Sequence, residues 1–182
     1  MTSKGVQGTG SLWRYTGDDR PPFAVAPRAG EESVWDYPRP PRIAADAREV
    51  RVCAGSVEVA RTRRALRVCE TASPPTFYLP RSDVNPAYMQ PASGASLCEW
   101  KGAAQYLSVS VPGQQFERVA WFYAEPLVAF DALRGYIGFY PAPLACFVDG
   151  LRVQPQPGRF YAGWVTPEIV GPFKGAPGSE GW

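Results

Sequence analysis

The stretch QYLSVSVPGQQFERVAWFY, residues 105–123, decides the fold. Leu107, Val109 and Val111 alternate with Tyr106, Ser108 and Ser110, the two-residue period of a strand with one apolar face. Pro112-Gly113 is a turn pair, and beyond it Val119, Trp121 and Tyr123 fall on a common side. The stretch therefore reads as a β-hairpin. With the turn at Pro112-Gly113, residues 106 and 119 are expected opposite each other, and Tyr123 at the end nearest Lys101 and Gly102.

The same pattern extends in both directions. Val50, Val52 and Ala54 lead through Gly55 to Val57 and Val59, a second hairpin. Leu66-Arg67-Val68-Cys69 is an apolar strand ended by Glu70, and Thr76-Phe77-Tyr78-Leu79 is a short strand held between prolines. Gly135–Tyr140 is another. Asp149-Gly150 is a type I′ turn signal joining Cys146–Val148 to Leu151–Val153. Twenty prolines and eighteen glycines in 182 residues interrupt every longer helical window, leaving one short helix around Leu127–Leu133, started by Glu125-Pro126. The fold class expected is mainly β, with antiparallel sheets and at most one or two short helices. The core spans residues 49–149. Residues 12–48 form an extended arm rich in proline and aromatics, and residues 150–182 a closing hairpin strand and wrapping arm. Residues 1–11 have the look of an expression tag, Gly8-Thr9-Gly10-Ser11 being what two adjoining restriction sites encode.

The arms carry Trp13, Tyr15, Phe23, Trp35 and Tyr37 on one side and Phe160, Tyr161, Trp164, Phe173 and Trp182 on the other, too many aromatics for a disordered tail. They are expected to anchor on the core surface, or to form a homodimer or partner surface. Asp36-Tyr37-Pro38-Arg39-Pro40-Pro41 has the alternative reading of a polyproline ligand.

Composition excludes several functions. A net charge of +2, with its densest basic cluster at Arg61, Arg63 and Arg64, is too little for nucleic-acid binding and reads as a solvated edge. The chain has no histidine, which removes Ser-His-Asp and Cys-His mechanisms. Cys53, Cys69, Cys98 and Cys146 form no C-x-x-C pair, so no metal cofactor is expected. No apolar run approaches the roughly 20 residues of a membrane span and the N-terminus has no signal-peptide character, so a reducing cytoplasm with free thiols is the expected location.

Several strings taken together resemble a known family. They are Arg64-Ala65-Leu66-Arg67-Val68-Cys69-Glu70-Thr71, Pro74-Pro75-Thr76-Phe77-Tyr78-Leu79-Pro80, Cys98-Glu99-Trp100-Lys101-Gly102, Ala120-Trp121-Phe122-Tyr123-Ala124-Glu125-Pro126 and Gly135-Tyr136-Ile137-Gly138-Phe139-Tyr140-Pro141. In order and spacing they resemble the bacterial and fungal domain of unknown function 427, over about Glu49 to Phe147. The arms, with Gly163-Trp164-Val165-Thr166-Pro167-Glu168 and Gly171-Pro172-Phe173-Lys174-Gly175, are similar to a longer subgroup. The resemblance implies a β-tent-like fold, two antiparallel sheets pinned at one edge and open at the other. That fold is shared by the ligand-binding domain of cereblon and by methionine sulfoxide reductase B. The four-cysteine zinc site of many such proteins has no counterpart in the cysteine spacing here. The family's nucleotidyltransferase-like label implies magnesium-binding carboxylates at Asp-x-Asp or Asp-x-Glu spacing, and this sequence contains neither.

Outside residues 1–11 the only lysines are Lys101 and Lys174; every other basic residue is arginine. Lysine can lose its proton when buried and arginine cannot. Lys101 thus reads as a general base, a Schiff-base amine or an anchor for a ligand carboxylate, against a surface lysine before a turn glycine. Cys98 is the strong nucleophile available to a chain without histidine, against a buried structural thiol. Glu70 and Glu125 read as general acid or base, or as partners in an ion pair with Arg67 or Lys101. Tyr78, Tyr106, Trp121, Tyr123 and Tyr140 sit at strand positions, mostly as core, with Tyr106 best placed to line a wet pocket beside Ser108 and Ser110. A small echo links Trp100-Lys101-Gly102-Ala103 to Phe173-Lys174-Gly175-Ala176, too short to count as a repeat.

Three functions fit these residues. The first is a small-molecule-binding domain with an aromatic cleft, in which Glu70, Lys101, Tyr106 and Tyr123 converge and Arg67, Tyr78, Trp121 and Glu125 contribute. The second is an enzyme using Cys98, Lys101 or Glu70 in the same cleft. The third is a protein-interaction module built on the aromatic arms. No cofactor is indicated.

Overall fold

The computed structural model describes residues 14–158 and 160–182, so the presumed tag and Trp13 lie outside the described residues. In chain order the strands are β1 (Glu32–Ser33), β2 (Arg42–Asp46), β3 (Val50–Ala54), β4 (Val57–Thr62), β5 (Ala65–Glu70), β6 (Ser73–Pro80), β7 (Met89–Cys98), β8 (Gly102–Val111), β9 (Gln114–Tyr123), β10 (Tyr136–Phe139), β11 (Ala145–Val148), β12 (Leu151–Arg152), β13 (Gln154–Pro155), β14 (Trp164–Val165) and β15 (Ile169–Val170). Helix among the described residues is confined to short 3₁₀ segments, the longest Val128–Leu133, where the sequence places its one helix. None is long and apolar enough to cross a membrane.

Two antiparallel sheets carry the molecule. The large one has seven strands in the order β2-β5-β6-β10-β9-β8-β7, and the small one has four, β12-β11-β3-β4. Between them lies one apolar core. Val50, Val52 and Val59 come from the small sheet, and Phe77, Leu79, Leu107, Val109, Ile137 and Phe139 from the large one. The β3–β4 hairpin and the turn at Asp149-Gly150 form as the sequence indicates. Both turn residues have positive φ, 46° and 78°, as a type I′ turn requires.

Three features differ from the sequence expectation. In the β8–β9 hairpin, Val111 pairs with Gln114 across the Pro112-Gly113 turn, but the register then shifts between Leu107 and Val109. Tyr106 therefore faces Trp121, not residue 119, and Ala104 faces Tyr123. The cause is a bulge. Arg118 takes a φ of 52°, and the buried Ser108 hydroxyl accepts its N–H at 3.1 Å while donating to the Glu117 carboxylate at 2.8 Å. The bulge also sends Val119 into the inner core, away from Trp121 and Tyr123, and takes Ser108 out of any wet pocket.

Second, β7 is a ten-residue edge strand across Pro91 and Gly94, which conceal it in the sequence. An edge strand needs only one side of its ladder, so proline is tolerated there. Third, β2 lies inside the stretch read as an N-terminal arm, yet it pairs with β5 from Arg42↔Cys69 to Asp46↔Ala65.

The two arms close on each other. β1 and β15 pair in parallel, the fully buried Trp35 donates its indole N–H to the Pro172 carbonyl at 3.0 Å, and the Phe23 and Trp182 rings stack with centroids 5.1 Å apart. Trp164 is also fully buried, stacked on Phe77 at 4.9 Å.

Candidate functional site

Alternation along each strand of the large sheet sends every second side chain to the face away from the small sheet. On β6, Phe77 and Leu79 point to the inner core, and Tyr78 between them points outward. On β9, Ala120 points in while Trp121 and Tyr123 point out; on β8, Leu107 points in while Ala104 and Tyr106 point out. These outward side chains form the floor of a cleft of about 460 Å³. That lies within the roughly 300–1,000 Å³ of small-molecule sites. The space between the two sheets is filled by the inner core, and the cleft lies on the outer face of the large sheet.

Gly138 is what lets the floor form. It lies on β10 between Tyr78 of β6 and Trp121 of β9, paired with both. A Cβ there would stand 2.5 Å from the Trp121 ring, so only glycine allows the indole to cross the central strand. Crossing it, Trp121 meets Tyr78 edge-on at 5.8 Å between centroids and donates its N–H to the Tyr78 hydroxyl at 3.3 Å. Tyr123 adjoins Tyr78 at 6.4 Å, and Tyr140 packs on Trp121 at 4.8 Å.

The walls bring charge. Cys98 ends β7, and the tight connection into β8 presents Glu99, Trp100 and Lys101, with the Lys101 ammonium over the Phe130 ring at 6.0 Å from its centre. The Trp100 indole nitrogen is buried without a hydrogen-bond partner among the described residues. From the end of β5 comes Glu70, and from the start of β6 come Ser73 and Pro74. The C-terminal arm adds Gln156, Phe160, Tyr161, Ala162 and Lys174, whose Nζ lies 5.8 Å from the centre of the Tyr161 ring. Glu70 is held from behind by the buried Arg39, whose Nε lies 3.3 Å from its carboxylate. Its partner is therefore Arg39, and neither Arg67 nor Lys101.

Burial sets the protonation of the floor. It pushes the Tyr78 and Tyr123 phenols well above their ordinary value, Tyr123 further through Tyr78 although Lys101 pulls it down. Tyr140 and Tyr161 are raised for the same primary reason. Tyr78, Tyr123 and Tyr140 are thus neutral at ordinary pH and can both donate and accept hydrogen bonds. Lys174 moves the opposite way. Burial and the neighbouring Arg39 charge lower it, partly offset by Glu70 and Glu99.

Seven of the nine residues singled out from the sequence line this cleft: Glu70, Cys98, Lys101, Tyr78, Tyr106, Trp121 and Tyr123. Arg67 does not. Its neighbour Val68 faces the cleft, so alternation turns Arg67 away, into ion pairs with Glu32 at 3.2 Å and Asp46 at 3.3 Å. Glu125 does not either, because the chain has left the sheet after Tyr123 and the side chain is exposed. Lys174, Tyr140 and Tyr161 are cleft residues not among those nine. For Lys174 two signals were present: the scarcity of lysine, and the echo of Trp100-Lys101-Gly102-Ala103 in Phe173-Lys174-Gly175-Ala176. Both lysines reach the same cleft, and each precedes a glycine with positive φ, 94° at Gly102 and 103° at Gly175.

Residues 42–154, which supply the floor and most of one wall, match the domain of unknown function 427. The chain belongs to that family. No curated protein matches it. The family region ends before the C-terminal wall, so Tyr161 and Lys174 lie outside the stretch matched by domain of unknown function 427. Among the described residues no cluster of three or more His, Cys, Asp or Glu side chains forms a metal-binding set.

Proposed function

We propose that this member of the domain of unknown function 427 family binds a small aromatic or planar molecule carrying an anionic group. One observation carries the reading: a concave floor of phenols and one indole shares its cavity with the only two lysines of the described chain. Aromatic floors select flat apolar surface, and a few convergent polar groups fix orientation. Glu70 is already paired with Arg39, so Lys101 and Lys174 outweigh Glu99 among the remaining charged groups of the lining. An anion is favoured over a cation. The arms, in contrast, bury Trp35 and Trp164 against their own chain, which favours the cleft over the arms as the working surface.

The test is a thermal-shift and calorimetric panel of aromatic carboxylates, their neutral amides and aliphatic acids of matched size. Aromatic acids should raise the melting temperature in a saturable way, amides less, and aliphatic acids least. Equal response to all three classes, or none to aromatic acids, would overturn the assignment.

A further inference from the structure

We propose that the ε-amine of Lys174 captures the carbonyl group of an aromatic aldehyde or ketone in this cleft as a reversible imine. The inference rests on the cleft being a small-molecule site and goes further, to a covalent step and the residue that makes it.

Position comes first. The Lys174 backbone is fixed on both sides: its N–H donates to the Ala72 carbonyl at 2.7 Å, and its own carbonyl accepts from Gln156 Nε2 at 2.8 Å. Gln156 is buried, and its Oε1 accepts the Gly163 N–H at 3.1 Å, so the support is itself held. Gly175 allows this close approach, since a Cβ there would stand 2.0 Å from the Pro157 carbonyl oxygen. A side chain launched from so rigid a backbone reaches the lining beside the Tyr161 ring.

The surroundings supply the chemistry. A lysine becomes nucleophilic when it is desolvated or stands near another cation, because both favour the uncharged amine. Lys174 has both, through its partial burial and through Arg39, whose side chain is 1% exposed and cannot move into water. Glu70 and Glu99 are carboxyl groups close enough to act on the amine and can relay protons.

The step balances without an oxidant or metal. The Nζ lone pair attacks the carbonyl carbon, and the C–O π pair moves to oxygen, which takes a proton. That proton replaces the first N–H lost by nitrogen; the carbinolamine then loses its hydroxyl and its remaining N–H proton as water, leaving C=N. Amine plus aldehyde gives imine plus water, and hydrolysis reverses it.

The lysine content makes the test clean, because Lys4, Lys101 and Lys174 are the only lysines of the chain. The full-length protein is incubated with 4-formylbenzoate and cyanoborohydride, and the adduct is mapped by peptide mass spectrometry. Terephthalate, which cannot form an imine, serves as competitor and as a separate binding probe. Labelling is expected to be saturable, suppressed by terephthalate and faster at Lys174 than at Lys101 by about ten-fold or more. Lys174→Arg should remove the fast, terephthalate-sensitive labelling and leave only the slow background, with the circular dichroism spectrum unchanged. Should that variant misfold, competition by terephthalate and the Lys174-to-Lys101 ratio in the unaltered protein decide the matter. Terephthalate binding without Lys174 labelling overturns the imine and leaves the binding site standing. Uniform slow labelling of all three lysines overturns it too, and absence of both labelling and terephthalate binding removes the imine and the aromatic-acid site together.

Discussion

The two faces of the large sheet are made by the same strands and do opposite work. The inner face is aliphatic and phenylalanine-rich, with Phe77, Leu79, Val109, Ile137 and Phe139 sealed against the small sheet at 2% exposure or less. The outer face places Tyr78, Tyr106, Trp121 and Tyr123 at the alternate positions and leaves them facing a cavity. Each aromatic on that face ends in a polar atom, and each corresponding inner residue does not. A core stabilises by excluding water, whereas a binding site needs polar atoms aimed at a ligand. Because the side-chain period is two, a single strand can serve both purposes.

The contrast can be broken at several points. The largest effect is expected at the inner face, where Phe77→Ala should cost about 3–5 kcal/mol through lost burial and an unfilled cavity. Urea unfolding measures it, and a loss below about 1 kcal/mol would mean that the inner face is not the stabilising one. Gly138→Ala tests the boundary between the faces. The new methyl would press on the Trp121 ring, and overpacking of this kind costs about 1–3 kcal/mol. Tryptophan fluorescence should shift with it, and binding of aromatic acids should weaken even at temperatures where the protein stays folded.

Lys101→Met separates function from stability. Loss of one charged contact should weaken an aromatic acid by about 1.5–3 kcal/mol. The melting temperature should change little, since a stem of similar volume remains. A Lys101→Met variant that melts much lower with affinity unchanged would make this lysine structural. The smallest effect belongs to the sheet margin, where Arg48 bridges Asp46 and Glu168. Burial raises both carboxyls, but the bonds to Arg48 outweigh it and hold them below their ordinary values. Their contribution to stability is therefore complete above pH 4.5, the ordinary glutamate value, and is lost as the pH falls through the lower folded values. Glu168→Gln should flatten part of that acid slope in pH-dependent melting by slightly lowering stability at neutral pH, leaving stability nearly unchanged in acid, where the carboxyl is already protonated.

Much of this was legible because local periodicity survives into the fold. The alternation in 105–111, the Asp149-Gly150 turn and the short helix near residue 127 each rest on a few neighbouring residues, whereas Val119 leaves the side it was expected to share with Trp121 and Tyr123. The β8–β9 bulge was not legible, because it depends on the Ser108 hydroxyl finding the Arg118 N–H across the hairpin. β7 was concealed by Pro91 and Gly94, whose tolerance comes from its position at the sheet edge, a tertiary fact. Among the site residues, Glu70 and Lys101 were accessible from residue type and strand ends. Arg67 was misassigned by chemistry alone, since only the face occupied by Val68 reveals which way it turns. Lys174 needed the C-terminal arm to fold back over the sheet.

The floor and the wall of the cleft also stand under different constraints. A floor residue such as Trp121 sits between neighbours that must fill the inner core, so its strand has little room to drift. Phe160 and Ala162 of the arm face the cavity without that second obligation, Phe160 being 81% exposed. The molecule is therefore a fixed platform with an exchangeable cover. A randomised library confined to Phe160, Tyr161 and Ala162 should redirect which compounds enter while most members still fold. The same separation offers natural selection a route to new specificities on an unaltered sheet.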